Sequence, residues 1–165
     1  SDRKAEAVAQ GIGEKFLNLL EVAIKDEVTL KANDRVYVGD DKRDQVKYIR
    51  GRIGYDELTN YARNMVVEIV TSLVDKDEKR FVNFFNKTGP VTTRLHSLEL
   101  LPGIGKKHMW DIISERKKKP FETFKDVQDR VPMLPDPKKI VIKRIIEDLE
   151  GKDRYRLFVG STVIE

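Results

Sequence analysis

Leu101-Pro102-Gly103-Ile104-Gly105-Lys106-Lys107 decides how this chain is read. Leu-Pro closes one segment, Gly-x-Gly makes a tight turn, and the lysine pair opens a run of helix formers reaching Lys119. The spacing predicts a hairpin between two helices. The lysines stand at the wrong end of the second helix. A helix begins with unpaired N–H groups and a partial positive charge, so cations there cost free energy. An anion seated on those amides removes the cost, and the phosphate of a nucleic-acid backbone is the anion this chemistry favours.

The charge distribution points the same way. Residues 1–100 hold 17 Lys and Arg against 17 Asp and Glu, so the whole net charge of +4 falls downstream of residue 100. Residues 101–119 alone carry six bases against Asp111 and Glu115. A basic patch beside a glycine turn is the electrostatic footprint of a phosphate binder. A solvated helix end is the competing reading, and the adjoining Gly-x-Gly tips the balance away from it.

Composition excludes several other classes. The chain has no cysteine, which rules out disulfides and thiolate metal sites and favours an intracellular setting. No apolar run approaches the roughly 20 residues of a membrane helix, and residues 1–10 lack a signal-peptide pattern. His96 and His108 lack ligand-type spacing, with His96 expected on a helix surface and His108 near the phosphate face. Gly11-Ile12-Gly13 lacks the rest of a nucleotide-binding fingerprint. No catalytic residues, metal ligands or cofactor are therefore expected, and an enzymatic role is disfavoured.

Upstream of the hairpin the pattern is mixed. Residues 16–24 are apolar and suit a buried strand or a short helix. Residues 35–39 and 45–53 alternate as half-buried strands do, with Val46, Tyr48, Arg50 and Arg52 on one face. These short segments suggest a small barrel, which a returning strand at 154–164 would complete. Asp56 is the expected cap of a helix over 57–64. Met65, Val66, Ile69 and Leu73, then Phe81, Phe84 and Phe85, form apolar stripes that face a core. Thr92 or Thr93 is expected to cap a helix running through Leu95, Leu98 and Leu101.

The last third contains a weak repeat. Leu101-Pro102, Lys106-Lys107 and Ile112-Ile113 recur as Leu134-Pro135, Lys138-Lys139 and Ile145-Ile146. Thr123 is positioned to cap a connecting helix to about residue 131. In the second copy Asp136 puts a carboxylate where phosphate would sit, and Pro137 removes a donor. That is a good helix start in its own right, so Lys138 and Lys139 are secondary contacts at best. Arg116 to Lys119 suit the dipole at a helix end, with phosphate tracking equally open. Trp110 is expected in the core, with base stacking as the less favoured reading.

Leu101-Pro-Gly-Ile-Gly-Lys106 matches the central signature of the helix-hairpin-helix motif. Residues 93–151 resemble a tandem helix-hairpin-helix domain, with Pro120-Phe121, Phe124 and Val127 matching the usual connector. With Arg35-Val-Tyr-Val-Gly, Arg52-Ile-Gly-Tyr and Thr93-Arg-Leu-His-Ser-Leu, the whole chain resembles an uncharacterised archaeal family regarded as RNA- or DNA-binding. The resemblance implies an OB-like barrel joined to this helical domain, and nucleic-acid binding in an archaeal cytoplasm, a cytoplasmic role connected with translation or ribosomal RNA. It implies no reaction. It also implies an additional N-terminal segment in related chains, without which the barrel is incomplete.

The expected fold is therefore α+β. A small OB-like β-barrel with helices occupies residues 1–90, and an all-α tandem helix-hairpin-helix domain occupies 91–151. The expected function is non-enzymatic nucleic-acid binding, with RNA ahead of DNA on resemblance alone. In that reading Gly103 and Gly105 let the backbone approach phosphate, Ile104 plugs the turn into the core, the amides of 103–107 face the anion, and Lys106 and Lys107 add charge. Tyr48 and Arg50 are the candidates on the sheet face, where OB-type barrels hold single strands, although any solvated sheet alternates in this way. A protein-interaction module, or a subunit or enzyme of nucleic-acid processing, are the alternatives. The expected partner is nucleic acid, RNA or DNA, with protein partners left open and no membrane.

Overall fold

The structure, a computed structural model, describes residues 5–160. Three strands, β1 (Val8–Ile12), β2 (Leu19–Ile24) and β3 (Val46–Arg52), form an antiparallel sheet in that order. Val8 faces Ala23 across the first ladder, and Leu20 faces Arg52 across the second. The second ladder slips in register at Glu21/Val22 and again at Ala23/Ile24. Val22, Ile24 and Val46 bury one patch of the sheet under Val28, Leu30, Val36 and Val38.

Several sequence expectations change here. In residues 16–24 only Leu19–Ile24 is strand, while Leu17 turns through φ 56° into the main core. Residues 35–38 alternate in burial but pair with no strand. Val36 and Val38 cover the small cluster while Arg35 and Tyr37 face solvent, so the period of two reports one-sided burial rather than a ladder. Residues 154–160 form no strand, and 161–164 lie outside the described residues. The amides of Leu157, Phe158 and Val159 are taken by the Asp148 carboxylate at 2.9, 2.8 and 3.3 Å, so no ladder can use them. Among the described residues there is consequently no closed barrel.

Helix follows. Asp56 does not cap it: a single 3-10 turn (Tyr55–Glu57) intervenes, and the Thr59 hydroxyl accepts from the Ala62 amide to start α1 (Asn60–Lys76). Asp77 separates α1 from α2 (Glu78–Lys87). Val66, Val70 and Val74 of α1, and Phe81, Val82, Phe84 and Phe85 of α2, are buried. The expected helix through Leu95 is instead a two-strand hairpin, β4 (Pro90–Thr92) with β5 (Leu95–His96), and a 3-10 turn (Ser97–Leu100). Thr92 turns that hairpin by accepting from the Arg94 amide, so its hydroxyl is unavailable as a helix cap.

Three helices complete the fold: α3 (Lys106–Lys118), α4 (Phe124–Arg130) and α5 (Pro137–Glu150). Thr123 caps α4 as expected, its hydroxyl accepting from the Asp126 amide at 2.9 Å. One apolar cluster runs from Leu17 and Leu19 through α1 and α2 to α3, α4 and α5. Phe158 joins it, its ring centroid 4.7 Å from Phe84 and 6.1 Å from Phe81. The architecture is mixed α+β, with the helical turns of residues 101–105 and 131–136 braced against a common core.

A buried ion pair lies against that core. Arg144 Nε donates to Asp148 Oδ1 at 3.0 Å, with both side chains almost fully buried. The same guanidinium donates to the carbonyls of Leu100 at 2.9 Å and Tyr155 at 2.5 Å. Every charge there is matched by several hydrogen bonds, as a low-dielectric site demands. The bond to Leu100 fixes the chain one residue before the first turn.

Candidate nucleic-acid interface

The first turn is built as the sequence suggests. Gly103 takes φ +75°, a left-handed conformation that glycine adopts without penalty. The Ile104 amide donates to the Leu101 carbonyl at 3.2 Å, and its side chain is buried. Ile104 therefore anchors the turn, and its amide is not open to a ligand. Gly105 is the N-cap of α3 and has no side chain to cap with. Among the described residues none accepts from the amides of Gly105, Lys106 or Lys107. The first turn of α3 also contains no acidic residue.

The two lysines are exposed and paired. Lys106 Nζ lies 2.8 Å from Glu99 Oε1, and Lys107 Nζ lies 3.2 Å from Asp111 Oδ2. Glu99 is held in place because its other oxygen accepts from the His96 amide at 2.9 Å. The Lys106 ammonium beside it, helped by that amide, keeps the Glu99 carboxyl below the usual carboxylate range. Both ammonium groups are themselves solvent-exposed, and ion pairs made by exposed lysines are worth roughly 0–1 kcal/mol, so a phosphate can compete for either lysine while Glu99 stays in place.

The second turn repeats the left-handed residue and the closing hydrogen bond, takes one residue more to reach its helix, and has opposite chemistry there. Met133 takes φ +65°, and the Leu134 amide donates to the Val131 carbonyl at 3.4 Å. The matching residues are thus Leu101-Pro102-Gly103-Ile104 and Val131-Pro132-Met133-Leu134. That corrects the register read from Leu134-Pro135, which paired the prolines by composition and missed the position of the turn. Asp136 caps α5 by accepting from the Lys138 amide at 3.0 Å and the Lys139 amide at 3.3 Å. Lys138 Nζ reaches back 2.6 Å to Asp75 Oδ1 of α1, which raises its pKa. Lys139 is exposed. The turns are neighbours: a Cβ on Gly103 would sit 3.9 Å from Pro135 Cγ.

The sheet residues lie elsewhere on the surface, each with an acidic partner. The Tyr48 hydroxyl donates to Glu6 at 2.7 Å, an acceptor that raises its pKa. Arg50 Nε is 3.3 Å from Glu21 Oε1. Arg35 chelates Glu14 at 2.5 and 3.1 Å, and the Tyr37 hydroxyl bonds Asp41. Arg116 is turned inward, donating to the carbonyls of Thr88 at 2.7 Å and Phe85 at 3.3 Å. It ties α3 to the end of α2, so of the helix-end cations it has a structural task.

Two residues depart from expectation. Trp110 is 62% exposed, so it is not a core residue. Met109 and Ile112 take the buried positions on α3 and leave Trp110 on the opposite side. His96 is half-buried at a 3-10 N-cap rather than on a helix, its Nδ1 accepting from the Leu98 amide at 3.0 Å. Burial and the nearby Arg116 charge lower its pKa. Glu99 and the Arg144–Asp148 pair are contributors that sequence reading missed. His96 with Glu99 has capping-box spacing, and Arg144 with Asp148 sits at i,i+4 on an apolar helix face, so both left a detectable trace.

Comparison with known proteins identifies the family. Residues 1–160 match the model described as "Protein of unknown function (DUF655)". The chain belongs to the DUF655 family. It is 44% identical over 160 residues to the uncharacterized protein MJ0038 of Methanocaldococcus jannaschii, which covers 96% of this chain and 73% of that one. The crystal structure of the DUF655 protein Af1531 from Archaeoglobus fulgidus superposes with a TM-score of 0.84 at 42% identity, covering 96% of this chain and 90% of that one. No helix among the described residues is long and apolar enough to cross a membrane.

Proposed function

We propose that this DUF655 protein binds nucleic acid without catalysis, RNA being the preferred polymer, by holding a backbone phosphate at the first turn. In this reading residues 97–150 are a tandem helix-hairpin-helix unit. One half ends at residue 118 and the other starts at α4. The observation that carries the reading is the contrast between the two turns. The same backbone bend presents unclaimed amides at Gly105, Lys106 and Lys107 in the first copy. In the second, Asp136 occupies the amides of Lys138 and Lys139.

The chemistry supports an anion specifically. Unpaired N–H groups and the positive end of the α3 dipole converge at one point. Two exposed ammonium groups flank it, each held by a single carboxylate, mostly buried Glu99 and half-buried Asp111. A phosphate there would gain charge-assisted hydrogen bonds from main chain and side chain together. Main-chain contacts carry no base information, so binding is expected to show little sequence preference. Tyr48 and Arg50, already engaged by Glu6 and Glu21, are minor contributors in this reading.

The test is the salt dependence of binding. Replacing Lys106 and Lys107 with alanine is expected to weaken binding and flatten the plot of log affinity against log salt by about 1.4 units on a single strand, two phosphate contacts' worth. An unchanged slope would remove phosphate capture from the first turn.

A further inference from the structure

Trp110 has no role in the fold that explains its exposure. It is the sole tryptophan of the chain, and it stands 62% exposed in the second turn of α3. Burying a large aromatic side chain stabilises a domain by a few kcal/mol, which this position forgoes. The helical repeat places Lys106 and Lys107 one turn before it and Ser114 and Lys117 one and two turns after it, on the same side of the helix. All of these are exposed, while Met109 and Ile112 face the core. Lys117 has no ion pair among the described residues. An indole is thus set between cations at both ends of a helix face, and its charge complement is a polyanion that also carries flat apolar rings.

We infer that Trp110 is a stacking platform for an unpaired base, so that this face of α3 takes single-stranded nucleic acid in preference to a duplex. The inference rests on the phosphate reading of the first turn and names its substrate class. A phosphate at the amides of Gly105–Lys107 leaves the attached nucleotide one helical turn from the indole. Stacking needs a base with a free face. Duplexes bury both faces of each base, whereas single strands can splay a base out. Base–aromatic stacking tolerates any sequence because every base has a π face. Lys117 then meets the next phosphate along the strand.

The experiment uses the indole as its own reporter. Trp110 emission and the anisotropy of a labelled oligonucleotide are followed together, first with oligouridylate and then with a blunt RNA duplex of equal length. The variants are W110A, W110F and K106A/K107A. Binding of oligouridylate is expected to quench Trp110 emission. W110A is expected to lose about tenfold in affinity for the single strand, with W110F between it and the parent. Duplex affinity should change less than about twofold in both Trp variants, and K106A/K107A should weaken both ligands. Circular dichroism of W110A is expected to match the parent, since the side chain is mostly in solvent.

Unquenched emission with W110A binding as the parent does would overturn the stacking role, while a loss in K106A/K107A would leave the phosphate site standing. Equal losses in W110A on single strand and duplex would overturn the preference for single strands. Failure of the parent protein to bind either oligonucleotide at low salt would overturn the phosphate reading and this inference with it.

Discussion

Gly103 and Met133 hold the same left-handed backbone, φ +75° and +65°, at corresponding positions of two neighbouring turns. The amide of the next residue in each case, Ile104 or Leu134, closes the bend onto the carbonyl two residues before the left-handed one. Glycine meets that geometry freely, but methionine does so at a cost of roughly 1–2 kcal/mol. Met133 recovers little of that through packing, being 88% exposed. Met133→Gly is therefore expected to stabilise the protein by about 1 kcal/mol, raising Tm by roughly 3 °C in thermal denaturation. Gly103→Ala is expected to move Tm the other way by a similar amount. A fall in Tm for Met133→Gly would show that the residue is held there by contacts its exposure does not reveal.

The buried ion pair makes a second prediction. Removing Asp148 leaves the buried Arg144 guanidinium with only the more exposed Asp153 carboxylate at 3.4 Å, and strands the amides of Leu157, Phe158 and Val159. Asp148→Ala is expected to cost about 3–5 kcal/mol, read as a lower urea midpoint. Because Arg144 also bonds the Leu100 carbonyl, the first turn should loosen, seen as faster amide exchange at residues 101–105. A change below about 1 kcal/mol would mean the network reorganises around water.

Stability should fall as the pH drops below neutrality, and His96 supplies part of the slope. Its Nδ1 accepts a hydrogen bond, and burial with the Arg116 charge depresses its pKa. An unfolded histidine binds a proton near pH 6.5, and folded His96 takes one up only at lower pH. The unfolded state then holds more protons, so stability is full above that pH and is lost as pH falls toward the folded pKa. Comparing Tm between about pH 7.5 and about pH 5.5, His96→Asn should flatten the dependence, since asparagine keeps an N-cap acceptor and does not titrate. An identical slope in the variant would exclude His96 as the cause.

The two lysine pairs should rank unequally. Lys138 is spent on Asp75, and the amides beside it are spent on Asp136. Lys138→Ala with Lys139→Ala is expected to reduce oligonucleotide affinity less than the Lys106/Lys107 double variant in the same titration. The reverse order would mean that the second turn is the phosphate site.

What sequence could reveal here followed from how local each feature is. The Gly103–Gly105 turn, the Thr123 cap, the Asp136–Pro137 helix start and the Phe81–Phe84–Phe85 stripe depend on neighbours a few residues away, and all were readable. The barrel was not. Alternation at 35–38 satisfied the pattern of a strand because Val36 and Val38 cover the Val22–Ile24–Val46 cluster, and no pattern distinguishes covering from pairing. Residues 154–160 offered strand-like composition, yet their amides answer to a carboxylate on α5 that is distant in sequence. Thr59 prevailed over Asp56 because Glu57 bonds the Gly54 amide at 2.6 Å and closes a separate turn first. Trp110 is apolar enough for a core position, yet Met109 and Ile112 define the buried side of α3 and leave it outside.

Main-chain amides as the gripping groups are tested most directly by following each amide separately. In nitrogen–proton correlation spectra of the labelled protein titrated with oligouridylate, the amides of Gly105, Lys106 and Lys107 should shift progressively and saturate. Those of Lys138 and Lys139, already donating to Asp136, should stay in place. Saturable shifts at the second turn with none at the first would contradict phosphate capture at Gly105–Lys107.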